Sequence, residues 1–332
     1  MKQLNLKFPK TGKINKFNSI DLDPNYKKNV LNIEGNDYFV NYIDSKTKKN
    51  KGANSYILTL TNIQEYEIAK EVGEELEPEY IIKICKFQKY KDNTITKRFD
   101  NEINALADCN KRKFQHVIRA SFSGSIEIPK ENFQGKIGFP KYQYYIMEYG
   151  EYDLKQYIEF KDLKIYDRIL LALDICHGLQ ELYEADFFHR DLKPDNIFFI
   201  EETWKIGDLG LSDHRYLENI DNPNELIGPK GWYSPEAMNK YLTKNKGFKY
   251  KFDCYIDHQS DIFQIGQILW YILQGNAPVG SVKEKDFKIN DSQLFAILKT
   301  MLNHSKQKRY NKIEEISKLL KPIHSKYYKI DI

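Results

Sequence analysis

The stretch FFHRDLKPDNIFF, residues 187–199, decides how this sequence is interpreted. It places four charged side chains between two pairs of phenylalanines: Arg190, Asp191, Lys193 and Asp195. Apolar flanks of this kind indicate buried strands or packed turns, where an unpaired charge is costly. We therefore expect these charged residues to have partners and a chemical task.

The sequence on the N-terminal side of this stretch has a pattern typical of β-strands. Short β-branched or aromatic runs recur through residues 37–147 and alternate with charged or glycine-containing turns: DYFVNYI, NSYILTL, EYIIKICKF, QHVIRASFSGSIEI and YQYYIMEY. One amphipathic helix, TKRFDNEINALADCN at 96–110, interrupts them. Residues 1–36 are polar and irregular and are interpreted as an extension.

After Gly150 the sequence pattern becomes typical of α-helices. The stretches 163–185 and 261–275 carry apolar residues on more than one helical face, which is typical of buried helices. The stretches SQLFAILKTMLNHS and KIEEISKLLKPI continue the helical pattern. The sequence therefore predicts an α+β, bilobal protein. A small antiparallel sheet lobe with one main helix is followed by a larger, mostly helical lobe, and a cleft between lobes favours a ligand.

Composition excludes several classes of protein. The 332 residues are 41% hydrophobic and 30% charged, and a net charge of +4 does not argue for nucleic acid. The four cysteines form no CxxC pair, so free thiols in a reducing compartment are expected. The sequence has no signal-peptide core and no apolar run of membrane-spanning length. We expect a cytoplasmic protein that binds neither membrane nor nucleic acid.

The segment HRDLKPDN, residues 189–196, resembles the catalytic loop of the eukaryotic-type protein kinase family. The resemblance implies that Asp191 accepts the proton of the substrate hydroxyl and that Asn196 binds Mg²⁺. It places Lys193 near the transferring phosphate of ATP. His189 and the flanking phenylalanines would fix the loop to the core.

The resemblance extends over roughly residues 37–325. It makes 37–148 the N-lobe and 149–325 the C-lobe, with 1–36 as an N-terminal extension and 326–332 as a C-terminal tail. Most motifs lie in the order that the family uses, which leaves little room for chance.

Two further motifs concern ATP and magnesium. Downstream, GDLGLS places Asp208 and Leu209 where the family most often has Asp-Phe-Gly, so Asp208 would bind Mg²⁺. Upstream, YIIKICK resembles the strand motif V-A-I-K and places Lys83 on the α/β-phosphates. A lysine flanked by isoleucines needs a partner, and Glu102 in the helix 96–110 is the candidate.

The segment YYIMEYGEYDL, residues 144–154, resembles the adenine-binding linker of the family. Met147 would lie behind the adenine, the Glu148 carbonyl and the Gly150 amide would bind its edge, and Asp153 would bind the ribose. The glycine-rich loop is the weakest match, because NKGANSYI keeps only Gly52 of the family's three glycines.

The segment GPKGWYSPEAM, residues 228–238, resembles the end of a kinase activation segment. Glu236 would pair with Arg309, and Asp261 would connect a helix of the large lobe to the catalytic loop.

In the family, the arginine before the catalytic aspartate, here Arg190, usually pairs with a phosphate on the activation segment. Residues 208–236 contain no threonine, but they do contain three acids between Tyr216 and Gly228. We hypothesise that one of these acids replaces the phosphate: Glu218, Asp221 or Glu225. The alternative is that Arg190 only bonds local backbone carbonyls.

The leading interpretation is an ATP- and Mg²⁺-dependent protein kinase acting on protein substrates. Lys193 favours Ser/Thr as the acceptor, whereas Trp232 and Ser234 are found in tyrosine kinases, so dual specificity stays open. A pseudokinase scaffold is the rival from another class, and a small-molecule phosphotransferase of the aminoglycoside-kinase type ranks third. The basic stretch 239–255 is interpreted as an insertion, which is either solvated or a docking site for an acidic partner.

Overall fold

The structure of the protein, a computed structural model, describes residues 1–43, 54–88, 93–216, 220–221, 225–243 and 252–331. The chain divides into two compact units. The first unit comprises Met1–Asn110 and Arg119–Tyr149, and the second comprises Lys111–Ile118 and Gly150–Ile332. Strands dominate the first unit and helices dominate the second, which agrees with the predicted α+β class.

The first unit is built around a seven-stranded sheet with the order β1-β8-β11-β7-β6-β5-β4. Its elements, in chain order, are β1 (Lys2–Lys7), β2 (Lys13–Ile14), β3 (Ile20–Asp21), β4 (Val30–Ile33), β5 (Asn36–Tyr42), β6 (Ser55–Asn62), α1 (Ile63–Val72), β7 (Tyr80–Gln88), α2 (Thr94–Arg112), β8 (Ala120–Glu127), β9 (Lys130–Glu131), β10 (Ile137–Gly138) and β11 (Lys141–Glu148). The short strands β10, β9, β2 and β3 form a separate sheet.

The five strand-like runs of the sequence correspond to β5, β6, β7, β8 and β11. Isoleucine and tyrosine side chains of these strands form one buried cluster, in which Tyr56, Ile82 and Tyr144 are fully covered. The sequences of central strands are nearly continuous apolar runs, because both faces of such strands are buried in the protein. This apolar pattern allows the strands to be predicted from the sequence.

The predicted irregular structure of residues 1–36 is wrong. Strand β1 pairs with β8 over six residues, and β4 pairs with β5. Leu6, Leu31 and Ile33 enter the same buried cluster as the central strands. The alternation of apolar residues with Lys and Asn in these strands is a period-2 signal, which the polar composition of the segment conceals.

The sheet is also not wholly antiparallel, since β1 runs parallel to β8. Leu4 lies opposite Gly124, whose φ is +151°, and a Cβ at Gly124 would collide with the Leu4 carbonyl oxygen. Only glycine therefore permits this strand to approach so closely. A parallel pair between such distant segments leaves no local signal in the sequence.

A second helix in the first unit corrects the prediction of a single main helix. Helix α1 begins after Asn62, whose side chain accepts hydrogen bonds from the backbone of Gln64 and Glu65. It ends at Gly73, which adopts the left-handed conformation with φ 77°. An asparagine cap followed eleven residues later by glycine is a boundary signal that the sequence does contain.

The second unit is mostly helical. Its elements are β12 (Tyr152–Asp153), α3 (Leu154–Phe160), α4 (Ile165–Glu184), β13 (Phe187–Phe188), β14 (Ile197–Ile200), β15 (Thr203–Ile206), β16 (Asp213–His214), α5 (Pro235–Thr243), α6 (His258–Gln274), α7 (Ser292–Met301) and α8 (Ile313–Asp331). Helix α6 is buried almost throughout, and α4 packs against α6, α8 and β15. The predicted helices at 163–185 and 261–275 correspond to α4 and α6.

The predicted C-terminal tail, 326–332, is helical as far as Asp331 because α8 continues through it. Lys326 and Tyr327 explain this continuation, since both side chains bind the carboxylate of Asp291. Among the residues described, no helix combines the length and the apolar character that crossing a membrane would need.

Candidate active site

The loop 189–196 follows β13 and is fixed by one carboxylate of α6. Asp261 accepts a hydrogen bond of 2.7 Å from the backbone N–H of His189 and another of 2.7 Å from that of Arg190. Arg190 has a φ of 67°, a conformation that costs a non-glycine residue roughly 1–3 kcal/mol. Burial raises the pKa of Asp261 to about 7, and the two donors act against burial by favouring the carboxylate. Asp261 thus holds the loop in a conformation it would not adopt alone.

His189 connects this loop to the segment that contains Asp208. Its Nε2 lies 3.0 Å from the Gly207 carbonyl oxygen, and its Nδ1 lies 3.2 Å from the backbone N–H of Asp191. Nε2 must carry the proton because a carbonyl oxygen only accepts, and Nδ1 then accepts from Asp191. Complete burial lowers the pKa of His189 to about 4, so the ring is neutral and keeps this tautomer at neutral pH.

Asp191 is buried among groups that restrain its carboxylate. The Asn196 amide donates to the Asp191 carbonyl at 2.8 Å and to its Oδ2 at 3.0 Å, and Lys193 Nζ lies 3.4 Å from the same Oδ2. Burial raises the pKa of Asp191 to about 6, while the Lys193 charge opposes this shift. A carboxylate with a pKa this close to neutrality can accept a proton efficiently and remain ionised at pH 7.

Asn196 and Asp208 have the donor atoms that Mg²⁺ takes. Because the Asn196 nitrogen is occupied by Asp191, the amide oxygen is the atom left for a hard cation. Asp208 has a left-handed φ of 57°, and the preceding Gly207 donates its N–H to the Asn196 carbonyl at 2.9 Å. The two residues therefore fit a magnesium site supplied by adjacent backbone segments. Leu209, which follows Asp208, is buried.

The Arg190 side chain binds the segment that follows Asp208. Its guanidinium forms two hydrogen bonds of 2.9 Å to the Asp221 carboxylate, a third to Asp213 at 3.1 Å, and a fourth to the Leu211 carbonyl at 2.8 Å. Lys240 of α5 lies 3.3 Å from Asp221. Of the three acids considered in the sequence, Asp221 is bound by Arg190, and Glu218 lies outside the described residues.

Gln264 of α6 also contributes to this site, although no motif of the sequence predicts it. Its amide nitrogen donates to the Trp232 carbonyl at 3.0 Å, and its amide oxygen lies 3.4 Å from the backbone N–H of Leu192. One side chain thereby connects the catalytic loop to the segment before Ser-Pro-Glu. A glutamine in an apolar helix is the available signal, because a buried amide needs partners on both of its ends.

The Ser-Pro-Glu segment is fixed by a buried ion pair. Arg309 forms hydrogen bonds of 3.1 and 2.8 Å to the two carboxylate oxygens of Glu236. Its other N–H groups donate to backbone carbonyls of Gln259, Asn303 and His304. All five donors of the guanidinium are therefore used, and both side chains are almost inaccessible to solvent.

In the first unit, Lys83 of β7 and Glu102 of α2 form a buried ion pair of 2.8 Å. Tyr145 of β11, the cross-strand neighbour of Lys83, donates its hydroxyl to the same Glu102 oxygen at 2.8 Å. The Lys83 ammonium also lies 5.6 Å from the centre of the Tyr145 ring. Tyr145 was not predicted, because only the register of β7 and β11 shows which tyrosine of the run YQYYIMEY lies beside Lys83.

The residues of the predicted adenine linker are placed as follows. Met147 pairs with Ile81 across β11 and β7, and the Glu148 carboxylate accepts the Arg119 backbone N–H at 2.8 Å. Asp153 caps α3 by accepting the Gln156 N–H. Gly150 approaches the Phe198 side chain, which a Cβ would meet at 2.9 Å. Gly52 lies outside the described residues, and so do Lys244, Lys246, Lys249 and Lys251 of the basic stretch 239–255.

Comparisons with known proteins agree with this geometry. The sequence profile of the protein kinase domain matches residues 67–330. Serine/threonine-protein kinase STY46 of Arabidopsis thaliana is 26% identical over 204 residues, 60% of this chain and 30% of that protein. Serine/threonine-protein kinase 16 of Homo sapiens is 28% identical over 121 residues, 36% of this chain and 39% of that protein.

A third similar protein, also from A. thaliana, is named inactive serine/threonine-protein kinase/endoribonuclease IRE1-like. It is 30% identical over 135 residues, 39% of this chain and 23% of that protein. The matches thus span 23% to 39% of the length of these three relatives. The profile covers most of the chain, including the catalytic loop and the Ser-Pro-Glu segment, and the resemblance seen in the sequence is confirmed: the chain belongs to the protein kinase family.

Proposed function

We propose that the protein transfers the γ-phosphate of ATP to serine or threonine hydroxyls of protein substrates. The observation that carries this proposal is the restrained carboxylate of Asp191, which is buried, bound by Asn196 and Lys193, and has a pKa raised to about 6. A side chain with these properties is suited to accept the proton of an attacking hydroxyl.

The residues of the second unit have distinct roles in this reaction. Asp191 orients the hydroxyl and accepts its proton as the oxygen bonds to the γ-phosphorus and the bond to the β-phosphate oxygen breaks. Lys193 offsets the negative charge that develops on the transferring group. Mg²⁺, when bound by Asn196 and Asp208, supplies charge that neutralises the phosphates.

Lys83 performs the corresponding task in the first unit by binding the α- and β-phosphates. Glu102 and Tyr145 support this role, since both fix the position and direction of the lysine. Phosphoryl transfer depends mainly on such positioning and on electrostatic stabilisation. Met147, Glu148, Gly150 and Asp153 bind the adenosine in this proposal, and Gly52 covers the phosphates.

The activation segment requires no phosphate in this proposal. Arg190 already has an anionic partner in Asp221, and Lys240 adds a second positive charge at 3.3 Å from the same carboxylate. A carboxylate bound by the two terminal guanidinium nitrogens can fill the place that a phosphate takes in the family. The kinase is then active as synthesised, and control comes from partners, from residues 1–36 or from expression level.

Transfer of labelled γ-phosphate from ATP to peptide libraries with Ser, Thr or Tyr as the only acceptor tests the proposal. We expect transfer to Ser and Thr, with losses of orders of magnitude in Asp191→Asn and Asp208→Ala at unchanged thermal stability. Transfer to Tyr as well would indicate dual specificity. Wild-type turnover in Asp208→Ala would contradict the assignment of the metal site.

A scaffold without catalysis is the second candidate function, and the similar protein named as inactive supports it. The discriminating result is saturable binding of Mg²⁺-ATP by the wild type with no transfer above the Asp191→Asn background. The presence of Lys83, Glu102, Asp191, Asn196 and Asp208 argues against this outcome, because each is a group that transfer needs.

A further inference from the structure

A cluster of metal-ligand side chains lies in the second unit, apart from the residues assigned to phosphoryl transfer. His116 belongs to the segment Lys111–Ile118, and Asp174 and His177 are three residues apart on α4. Their ligand atoms all lie within 4.8 Å of one another. Each side chain is partly exposed, so an ion in solution can reach them.

The backbone fixes His116 against α4 and β15. Its N–H donates to the Glu181 carboxylate at 2.8 Å, and its carbonyl accepts the Ile206 N–H at 2.8 Å. A Cβ at Gly178 would lie 2.5 Å from the His116 carbonyl oxygen, so the helix approaches this segment as closely as only glycine allows. The position of His116 is therefore set by backbone contacts.

The backbone of Trp204 orients two of the three side chains. His116 Nδ1 lies 3.3 Å from the Trp204 carbonyl, which can only accept, so Nδ1 carries the proton and Nε2 keeps a lone pair. The Trp204 backbone also forms a hydrogen bond with Asp174. Metal-binding histidines commonly donate their second ring nitrogen to a backbone carbonyl in this manner. The rings of His116 and His177 are 5.3 Å apart between centroids.

Two imidazoles and one carboxylate select the class of ion. Mg²⁺ and Ca²⁺ prefer oxygen ligands alone, whereas imidazole with carboxylate suits Zn²⁺ and related transition metals. Zinc binds nitrogen and carboxylate oxygen at about 2.0–2.2 Å, which places donors of a tetrahedron about 3.3–3.5 Å apart. Zinc binding therefore requires the three donors to move closer together than the upper limit of 4.8 Å within which they lie. The fourth position remains open to water.

We propose that His116, Asp174 and His177 form a zinc site that joins the segment Lys111–Ile118 to α4. Binding to the folded state alone stabilises the second unit and raises its unfolding temperature, by an amount that grows with the logarithm of the zinc concentration. The site does not depend on the proposed kinase activity, because none of its residues has a role in that reaction.

Zinc affinity of the full-length protein, measured by competition with a chromophoric chelator, tests the proposal. A Cys254→Ser background removes the partly exposed thiol as a competing ligand. We expect one equivalent of Zn²⁺ to bind, with an affinity at least about tenfold weaker in His177→Gln and in Asp174→Asn. His324→Gln, a partly buried histidine of α8, is the matched control and should bind as the parent does.

Two further readouts use the same proteins. At one zinc concentration, Zn²⁺ should raise the unfolding temperature of the parent and of His324→Gln more than that of His177→Gln, with the chelator-treated proteins as the reference. Co²⁺ bound to the parent should give the visible absorption spectrum of a cobalt ion with nitrogen and oxygen ligands and no thiolate ligand. This measurement uses the parent alone, so it does not depend on the folding of any variant. Equal zinc affinity in parent and His177→Gln, or a parent without stoichiometric binding, would overturn the proposal.

Discussion

Two buried arginines of the second unit bind carboxylates in the same bidentate geometry but differ in where their partners lie. Arg309 binds Glu236 at the start of α5, and its remaining N–H groups donate to the backbone carbonyls of Gln259, Asn303 and His304. Arg190 binds Asp221, Asp213 and the Leu211 carbonyl, all of which belong to the segment after the Asp-Leu-Gly motif. Both ion pairs are nearly inaccessible to solvent.

The difference indicates two kinds of ion pair. Arg309 joins parts of the helical core, so loss of Glu236 leaves a charge buried inside the fold. Arg190 joins the catalytic loop to the segment after the Asp-Leu-Gly motif, so we expect loss of Asp221 to release this segment while the helical core keeps its own contacts. We infer that the Arg309 pair maintains stability and the Arg190 pair maintains the active conformation.

The largest expected effect is on stability, in Glu236→Gln. Leaving Arg309 buried without its anionic partner should lower the free energy of unfolding of the second unit by about 3–5 kcal/mol. All three tryptophans, Trp204, Trp232 and Trp270, belong to this unit, so urea unfolding followed by tryptophan fluorescence reports on it. Glu284→Gln, at an exposed position, is the control and should unfold as the wild type does.

The second effect is on activity, in Asp221→Asn. Loss of a charge-assisted bidentate contact worth about 1.5–3 kcal/mol should lower kcat/KM by on the order of tenfold to a hundredfold, with little change in unfolding. The phosphatase-treated wild type should keep its activity. The Asp221→Glu variant, which keeps the carboxylate, should have most of the wild-type kcat/KM. Glu225→Gln is the control on the same segment.

Two results would contradict this role of Asp221. One is loss of activity on phosphatase treatment that Tyr216→Phe reproduces, since the segment would then be switched by phosphorylation. The other is an Asp221→Asn protein that is as unstable as Glu236→Gln, since the two arginine pairs would then not differ in kind.

A smaller effect is expected at the third buried pair, Lys83–Glu102. Tyr145→Phe removes one hydrogen bond to Glu102, a contribution of about 0.5–1.5 kcal/mol, and should reduce kcat/KM for ATP by about twofold to tenfold. Tyr144→Phe is the matched control, because its hydroxyl binds the Leu4 carbonyl instead. If ATP kinetics change equally in both variants, the effect comes from the sheet and not from the ion pair.

The smallest expected effect is a shift in the pH profile. The pKa of Asp191 is raised to about 6, so kcat/KM should fall below about pH 6 as the base becomes protonated. The Lys193 charge lowers this pKa, so Lys193→Met should move the acid limb to higher pH. Asp221→Asn should reduce the height of the profile without moving its midpoint. A midpoint that moves would mean that Arg190 and Asp221 act on the charge of Asp191 and not on conformation.

Much of the fold and of the candidate site was accessible from the sequence. The catalytic loop places Asp191, Lys193 and Asn196 within a few positions, so their spacing is a local property of the chain. Helices α4 and α6 and the central strands follow from apolar periodicity, which is local as well. The strands within residues 1–36 are not evident from the sequence, because these short alternating strands are rich in Lys and Asn.

The choice of partner among similar residues was decided only by tertiary structure. Three acids follow Tyr216, yet Asp221 binds Arg190, and three tyrosines lie in β11, yet Tyr145 reaches Glu102. The sequence determined which residue types are present and how they are spaced along each element. The register of β1 with β8, the meeting of His116 with α4 and the pairing of each buried charge depend on contacts between distant segments. Such contacts are selected by the backbone geometry of the complete fold, which no local pattern encodes.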